Sequence, residues 1–276
     1  MPTTRLCLAL CAVLGASSAQ ALDWSSTAVS WRYGTQFAEP FNGQDIHKHI
    51  LALTHADGYQ YGSNYLNLDL LFSDKNDARS LGSDSGAREA YLVYRHTLDL
   101  GKLAGHKLDL AGARGLGLTA GFDWNSKSDV GYNSRKRMLV LGPTLMWEVP
   151  GFLNTSLLYL HESNAPSGPF APISQVRGRY TYKGHAMFNV VWGIPVGGAS
   201  WEGYANFIGS KGRDETGAPT GAEQNIDMAL MWDMGRQWRA GVGYQYWRNK
   251  FGNTAVTTGG KGYRASTPMV RVEFKL

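Results

Sequence analysis

The sequence predicts an all-β chain closed into an antiparallel transmembrane β-barrel of about twelve strands. Three observations carry that expectation. Segment after segment alternates apolar and polar residues with period two. The connections between segments are alternately short and long, as in outer-membrane barrels. No segment shows a helix cap, a 3.6 period and a stop together.

The chain starts with Arg5, an apolar run from Leu6 to Ala16, and the small-residue site Ala19-Gln20-Ala21. That pattern reads as a signal peptide over residues 1–21, with the barrel over residues 22–276. The apolar run is too short for a single-pass anchor. Cys7 and Cys11 both fall in this leader, and Leu10 is not the small residue that a lipoprotein site requires before its cysteine. The mature chain therefore has no cysteine, and no later run approaches the length of a membrane helix. Charged residues make up only 18% of the chain, which fits an exported β protein better than a soluble α/β enzyme. The formal net charge of +5 points to no nucleic-acid partner, because no basic run exceeds Arg135-Lys136-Arg137.

Taken in order, residues 25–35 set Val29, Trp31 and Tyr33 against Ser30 and Arg32. Residues 45–54 set Ile46, Ile50 and Ala52 against His47, His49 and Leu51, with Lys48 interrupting the apolar side. Residues 55–74 open on Asp57-Gly58, read as a turn. They then place Leu66, Leu68, Leu70 and Phe72 opposite Tyr65, Asn67 and Asp69. The fourth segment sets Ala90, Leu92, Tyr94 and Leu98 against Glu89, Tyr91, Arg95 and Thr97. The fifth sets Leu116, Leu118 and Phe122 against Thr119, Gly121 and Asp123. Residues 138–149 and 154–162 form the sixth and seventh. A long eighth sets Tyr180, Tyr182, Ala186, Phe188, Val190 and Trp192 against Arg179, Thr181, Lys183, His185 and Asn189.

The ninth segment opposes Trp201, Ala205 and Phe207 to Glu202, Tyr204 and Asn206. The tenth opposes Ile226, Met228, Leu230 and Trp232 to Asn225, Asp227 and Asp233. The eleventh opposes Ala240, Val242, Tyr244 and Tyr246 to Arg239, Gly241, Gly243 and Gln245. The last opposes Val270, Val272, Phe274 and Leu276 to Arg271, Glu273 and Lys275. Short turns fall near residues 56–60, 99–106, 149–154, 194–199 and 234–237, all on one side, with every long polar loop on the other.

Aromatic residues near segment ends, among them Trp31, Tyr33, Phe72, Trp192, Trp201 and Trp232, match the girdles at lipid interfaces. The charges on the opposite faces need partners in a dry soluble sandwich but not in a wet lumen. Closing the sheet also removes edges that hydrocarbon does not tolerate. These features place the chain in the bacterial outer membrane, in contact with its lipid.

Residues Trp31-Arg32-Tyr33-Gly34, Phe37, Pro40, Asp45-Ile46 and the stretch 55–74 resemble the Tsx-like nucleoside-specific channels of the outer membrane. The resemblance implies a monomeric twelve-stranded barrel passing nucleosides by facilitated diffusion, inserted by the barrel-assembly machinery. One departure concerns the assembly signal: such barrels usually end in an aromatic, whereas this chain ends in Leu276 with Phe274 two residues before.

A flat solute with a sugar calls for ring stacking and for polar partners to its hydroxyls. Tyr65, Tyr91, Tyr159 and Tyr204 are the candidate stacking residues. Arg32, Asp69, Glu89, Arg95, Arg179, Glu202, Asp227 and Arg271 are the candidate hydroxyl partners. The same charges equally fit a cross-lumen ladder that only stabilises a barrel, as in a structural or receptor barrel without transport.

The one pattern that suggests catalysis is His161-Glu162-Ser163-Asn164, which is similar to the His-x-Ser-Asn motif of lipid A deacylases. Parity with Leu158 and Leu160 places His161 and Ser163 on the lumen side, and no downstream carboxylate precedes Glu202. No catalytic residue is assigned. Nor is a metal or cofactor expected: His47, His49 and His55 spread over roughly 27 Å of strand, and the glycines of residues 112–117 lack a phosphate-loop context.

Overall fold

The computed structural model describes residues 22–106, 112–254 and 263–276. The expected signal peptide lies outside the described residues. The alternating segments become β1 (Leu22–Glu39), β2 (Asn42–Tyr59), β3 (Gly62–Ser73), β4 (Arg88–Asp99), β5 (Ala113–Ser128), β6 (Arg137–Trp147) and β7 (Phe152–Asn164). They continue as β8 (Tyr180–Thr181), β9 (His185–Val196), β10 (Ala199–Ile208), β11 (Glu223–Gly235), β12 (Trp238–Arg248) and β13 (Ala265–Lys275). Each long strand pairs antiparallel with its neighbours, and β1 pairs with β13 from Ala28↔Lys275 to Gly34↔Met269. The sheet is therefore a closed barrel of twelve long strands among the described residues, with the short β8 added to the outer end of β7. We call the end carrying the short turns the inner end.

Four of the five short connections are where the sequence places them. Gly197 and Gly198 adopt φ of +53° and +84°, the left-handed pair that a tight hairpin requires. The connection after β4 holds α1 (Leu100–Ala104), whose N-cap Asp99 accepts from the Gly101 and Lys102 amides. One turn is misplaced by the sequence reading. Tyr59 pairs with Gly62, so Asp57 and Gly58 continue β2 and the chain turns at residues 60 and 61. At the outer end, β1 and β2 run far longer than a bilayer crossing needs and meet in a tight turn at Pro40 and Phe41.

Leu51, Leu53, Leu70, Phe72, Leu139, Leu141, Leu157, Phe188, Trp201, Phe207, Trp232, Val242 and Val270 all stand exposed on the outward face. This belt runs round the barrel, which is the surface a hydrocarbon environment selects. The sequence assigns the faces correctly for β1, β3, β4, β5 and β10 to β13. It fails for β2 and β7, because the outer half of the lumen is apolar. Ile46 and Ile50 point inward and pack with Phe37, Met269 and Leu71. Met138, Val140, Leu158, Leu160, Met187 and Ile208 form a second inward cluster.

The long eighth segment is also interrupted. Tyr182 and His185 are both buried and inward although they stand three positions apart, an odd step that regular alternation puts on opposite faces, so the strand carries an extra residue near Gly184. Such a bulge reverses the facing of everything on one side of it. Tyr182 therefore turns inward, and Arg179 and Thr181 turn outward.

Candidate functional site

The inner half of the lumen is concave and lined by polar side chains. Near its inner end, Arg239 donates to Glu202 Oε2 (2.7 Å) and Glu273 Oε1 (2.8 Å), and Arg271 donates to Glu273 Oε2 (2.8 Å). One step outward, Arg32 Nη2 donates to Asp69 Oδ2 (2.6 Å) and Nη1 to Asp227 Oδ2 (3.3 Å). Arg32 thus ties β1 to β3 on one side and to β11, three strands away, on the other. Tyr204 stands directly across from Asp227 in the β10–β11 register. Tyr65 shares the inward face of β3 with Asp69, yet 40% of it is exposed, so the lumen is open at this depth. Arg32 Nε and Arg271 Nε are buried donors with no acceptor among the described residues.

The wall of β4 to β7 is built differently. Thr97, Thr119, Thr144 and Ser156 join in a hydroxyl ladder with oxygen separations of 2.6–2.8 Å, flanked by inward Gly117 and Gly121. Small residues here leave room opposite the arginine side. Tyr91 donates to Asp123 (3.1 Å), which also pairs with Arg95 (2.6 Å).

Further outward the loops fold over the mouth. Glu39 receives Lys48 and Lys250 (the latter at 2.8 Å), and Lys127 bridges Glu39, Asp77 and Asp129. Glu162 lies among Lys211 (2.7 Å), His185 (3.4 Å) and Lys136 (3.7 Å). Between these clusters Tyr132 stacks near Phe251 and Phe41, donates to Glu215 and accepts from Asn164 (3.0 Å). Tyr182 donates to the other oxygen of Glu215 (2.6 Å). All of these groups are buried or nearly so, which makes the cap a cross-linked polar layer and not a loose set of loops.

Burial, reinforced by the charge of Glu215, pushes the Tyr132 phenol well above the ordinary tyrosine value. Burial holds the Lys250 ammonium below the ordinary lysine value, partly offset by Glu39. A phenol held protonated in the fold contributes stability below pH 10.0, its unfolded value, and loses it as pH rises further. Heat stability is therefore expected to hold up to about pH 10 and to fall progressively above it. Tyr132→Phe should flatten part of that slope, and an unchanged slope would count against the assignment.

Of the sequence-predicted site residues, the fold brings Arg32, Tyr65, Asp69, Glu202, Tyr204, Asp227 and Arg271 to the open inner part of the lumen. Tyr91 and Arg95 meet at Asp123 on the adjoining wall. Glu89 faces inward but accepts from Asn125 (2.6 Å) beneath the cap. Two are misplaced. Tyr159 points outward with 58% exposure, because its neighbours Leu158 and Leu160 fill the apolar half of the lumen. Arg179 lies on the outer rim, beyond the bulge.

The His161–Ser163 pair is likewise outward, the reverse of the parity argument, since the leucines that set the parity are themselves inward. Ser163 Oγ accepts from Arg179 (3.2 Å), and no hydrogen bond joins it to His161 among the described residues. The cap residues Tyr132, Lys136, Lys211 and Lys250 lie on loops, where no periodicity marks them; only Lys48, a lysine on an otherwise apolar strand face, signals a buried ionic layer.

No family model matches the chain, and no curated protein matches it in sequence. Solved barrels resemble it in shape. The KdgM porin in complex with disordered oligogalacturonate is 10% identical, with a TM-score of 0.46 over 90% of this chain and 99% of its own. The translocator domain of the autotransporter NalP from Neisseria meningitidis is 15% identical, with a TM-score of 0.43 over 99% of this chain and 95% of its own. OccK11 of Pseudomonas aeruginosa is 12% identical, with a TM-score of 0.36 over 91% of this chain and 96% of its own. The strand number and closure rest on this chain's own register.

Proposed function

We propose that the chain is an outer-membrane channel for small polar solutes, with nucleosides as the substrate class, acting as a monomer without enzymatic activity. The observation that carries this reading is the inner lumen. Exposed Tyr65 and half-buried Tyr204 offer ring faces beside Arg32, Asp69, Asp227, Glu202 and Arg271, whose guanidinium and carboxylate groups suit sugar hydroxyls. Three arginines (Arg32, Arg239 and Arg271) face four carboxylates (Asp69, Asp227, Glu202 and Glu273) there, which suits a neutral solute better than a polyanion. The capped outer end makes the path narrow.

In planar bilayers the protein is expected to conduct, and adenosine is expected to reduce that current. Tyr65→Ala should raise the half-blocking concentration roughly tenfold, the order of one lost base stack. Conductance that nucleosides leave unchanged would overturn the nucleoside reading, and absence of conductance would overturn the channel. The hydrolase alternative lacks an assembled dyad. Cells carrying Ser163→Ala should therefore show the same lipid A acylation, by mass spectrometry, as cells carrying the unaltered protein.

A further inference from the structure

Away from the lumen, the outward face at the outer ends of β6, β7 and β8 gathers three arginines. Arg137 begins β6, Ser163 stands opposite it on β7, and Thr181 stands opposite Ser163 on β8. Arg135 and Arg179 flank this row, and Arg179 Nη1 donates to the Arg135 carbonyl (2.8 Å) and to Ser163 Oγ (3.2 Å). All three arginines are exposed, and among the described residues none pairs with a carboxylate. Partial burial and the charges of Arg137 and Arg135 push the Arg179 guanidinium below its ordinary value. Like charges are thus held together with no protein counter-charge.

Below this row the outward wall is apolar and hollowed. The β6–β7 ladder lapses between Leu141↔Tyr159 and Thr144↔Ser156, at Gly142 and Pro143. Across the next seam Tyr159 lies over Gly184, where an added Cβ would stand 2.1 Å from the tyrosine hydroxyl. The result is a groove of about 480 Å³ lined by Leu141, Pro143, Leu157, Tyr159, Gly184 and Ala186. Leu141 lies four steps along the strand from Arg137, about 13 Å, on the same face.

We propose that this face binds a phosphorylated glycolipid of the membrane's outer leaflet, its phosphate on Arg135, Arg137 and Arg179 and an acyl chain along the groove. Guanidinium forks match phosphate oxygens two at a time, and Thr181 adds a hydroxyl in the same row. A free anion gains nothing from an apolar groove, and a neutral lipid gains nothing from three uncompensated arginines. The site uses both. It depends on the outer-membrane placement proposed above but not on transport, so its failure leaves the conductance result untouched.

Native mass spectrometry of the full barrel in detergent tests it, with bisphosphorylated lipid A as the probe. One bound lipid A is expected. R135Q/R137Q/R179Q should weaken it roughly 10- to 100-fold, whereas R213Q, which removes an exposed loop arginine elsewhere, should not. Enzymatically dephosphorylated lipid A should bind the unaltered protein correspondingly weakly, a comparison that needs no variant to fold. Equal binding of the two lipids, equal binding by the triple variant, or equal weakening by R213Q would each overturn the proposal.

Discussion

Replacing Glu162 with glutamine is expected to destabilise the outer cap by about 3–5 kcal/mol, the usual cost of breaking a buried ion cluster from one side. Glu162 is 1% exposed and is the only carboxylate within ion-pair distance of Lys136, Lys211 and His185 among the described residues. Glutamine keeps its volume but leaves buried ammonium groups facing a neutral amide. The cluster joins a barrel wall to two loops, since Lys136 precedes β6 and Lys211 lies between β10 and β11. Loss of the anchor should therefore lower the temperature at which the folded band disappears in heat-modifiability gels. It should also lengthen open times in single-channel records. Adding Lys211→Met removes one of the stranded charges and should recover part of the loss. Equal melting of Glu162→Gln and the unaltered protein would show that the cap is held by its aromatic contacts alone.

The same region shows why the sequence reveals the barrel so well and the cap so poorly. Period two is enforced wherever one face meets hydrocarbon and the other meets water, as in β3, where Leu66 to Phe72 and Tyr65 to Asp69 separate cleanly. At the outer half of the lumen, water is replaced by packed side chains, and both faces of β6 and β7 become apolar. Alternation then loses its sign, and Leu158 and Leu160 are read as lipid-facing when they fill the interior. The extra residue near Gly184 adds a second failure, because a bulge changes facing without changing composition. Arg179 is misassigned by the bulge, and Tyr159 by the missing polarity contrast. The inner lumen escapes both problems, so Arg32, Tyr65, Asp69, Tyr204 and Asp227 are legible from alternation alone. What alternation cannot supply is pairing: that Arg32 reaches a strand three positions away follows only from closure of the sheet.

That long-range tie leads to the second large effect. Arg32→Met should cost about 3–5 kcal/mol, because Asp69 and Asp227 would then face each other across the lumen without a shared counter-charge. Arg271, directly across from Arg32 in the β1–β13 register, is already engaged by Glu273 and cannot serve both. Lysine is no substitute, since one ammonium on a flexible stem does not span two carboxylates as a guanidinium fork does. Two consequences separate a stability role from a solute role. Urea unfolding in micelles should show the triple variant R32M/D69N/D227N recovering most of the lost stability, because it removes the uncompensated charges together with their partner. Nucleoside block should not recover in that variant, since the donors and acceptors beside Tyr65 and Tyr204 are gone. In Arg32→Met alone, the uncompensated carboxylates should also shift the reversal potential in a salt gradient towards cations. If the triple variant regained stability and block together, the network would be scaffolding only, and the tyrosines would have to account for solute recognition without it.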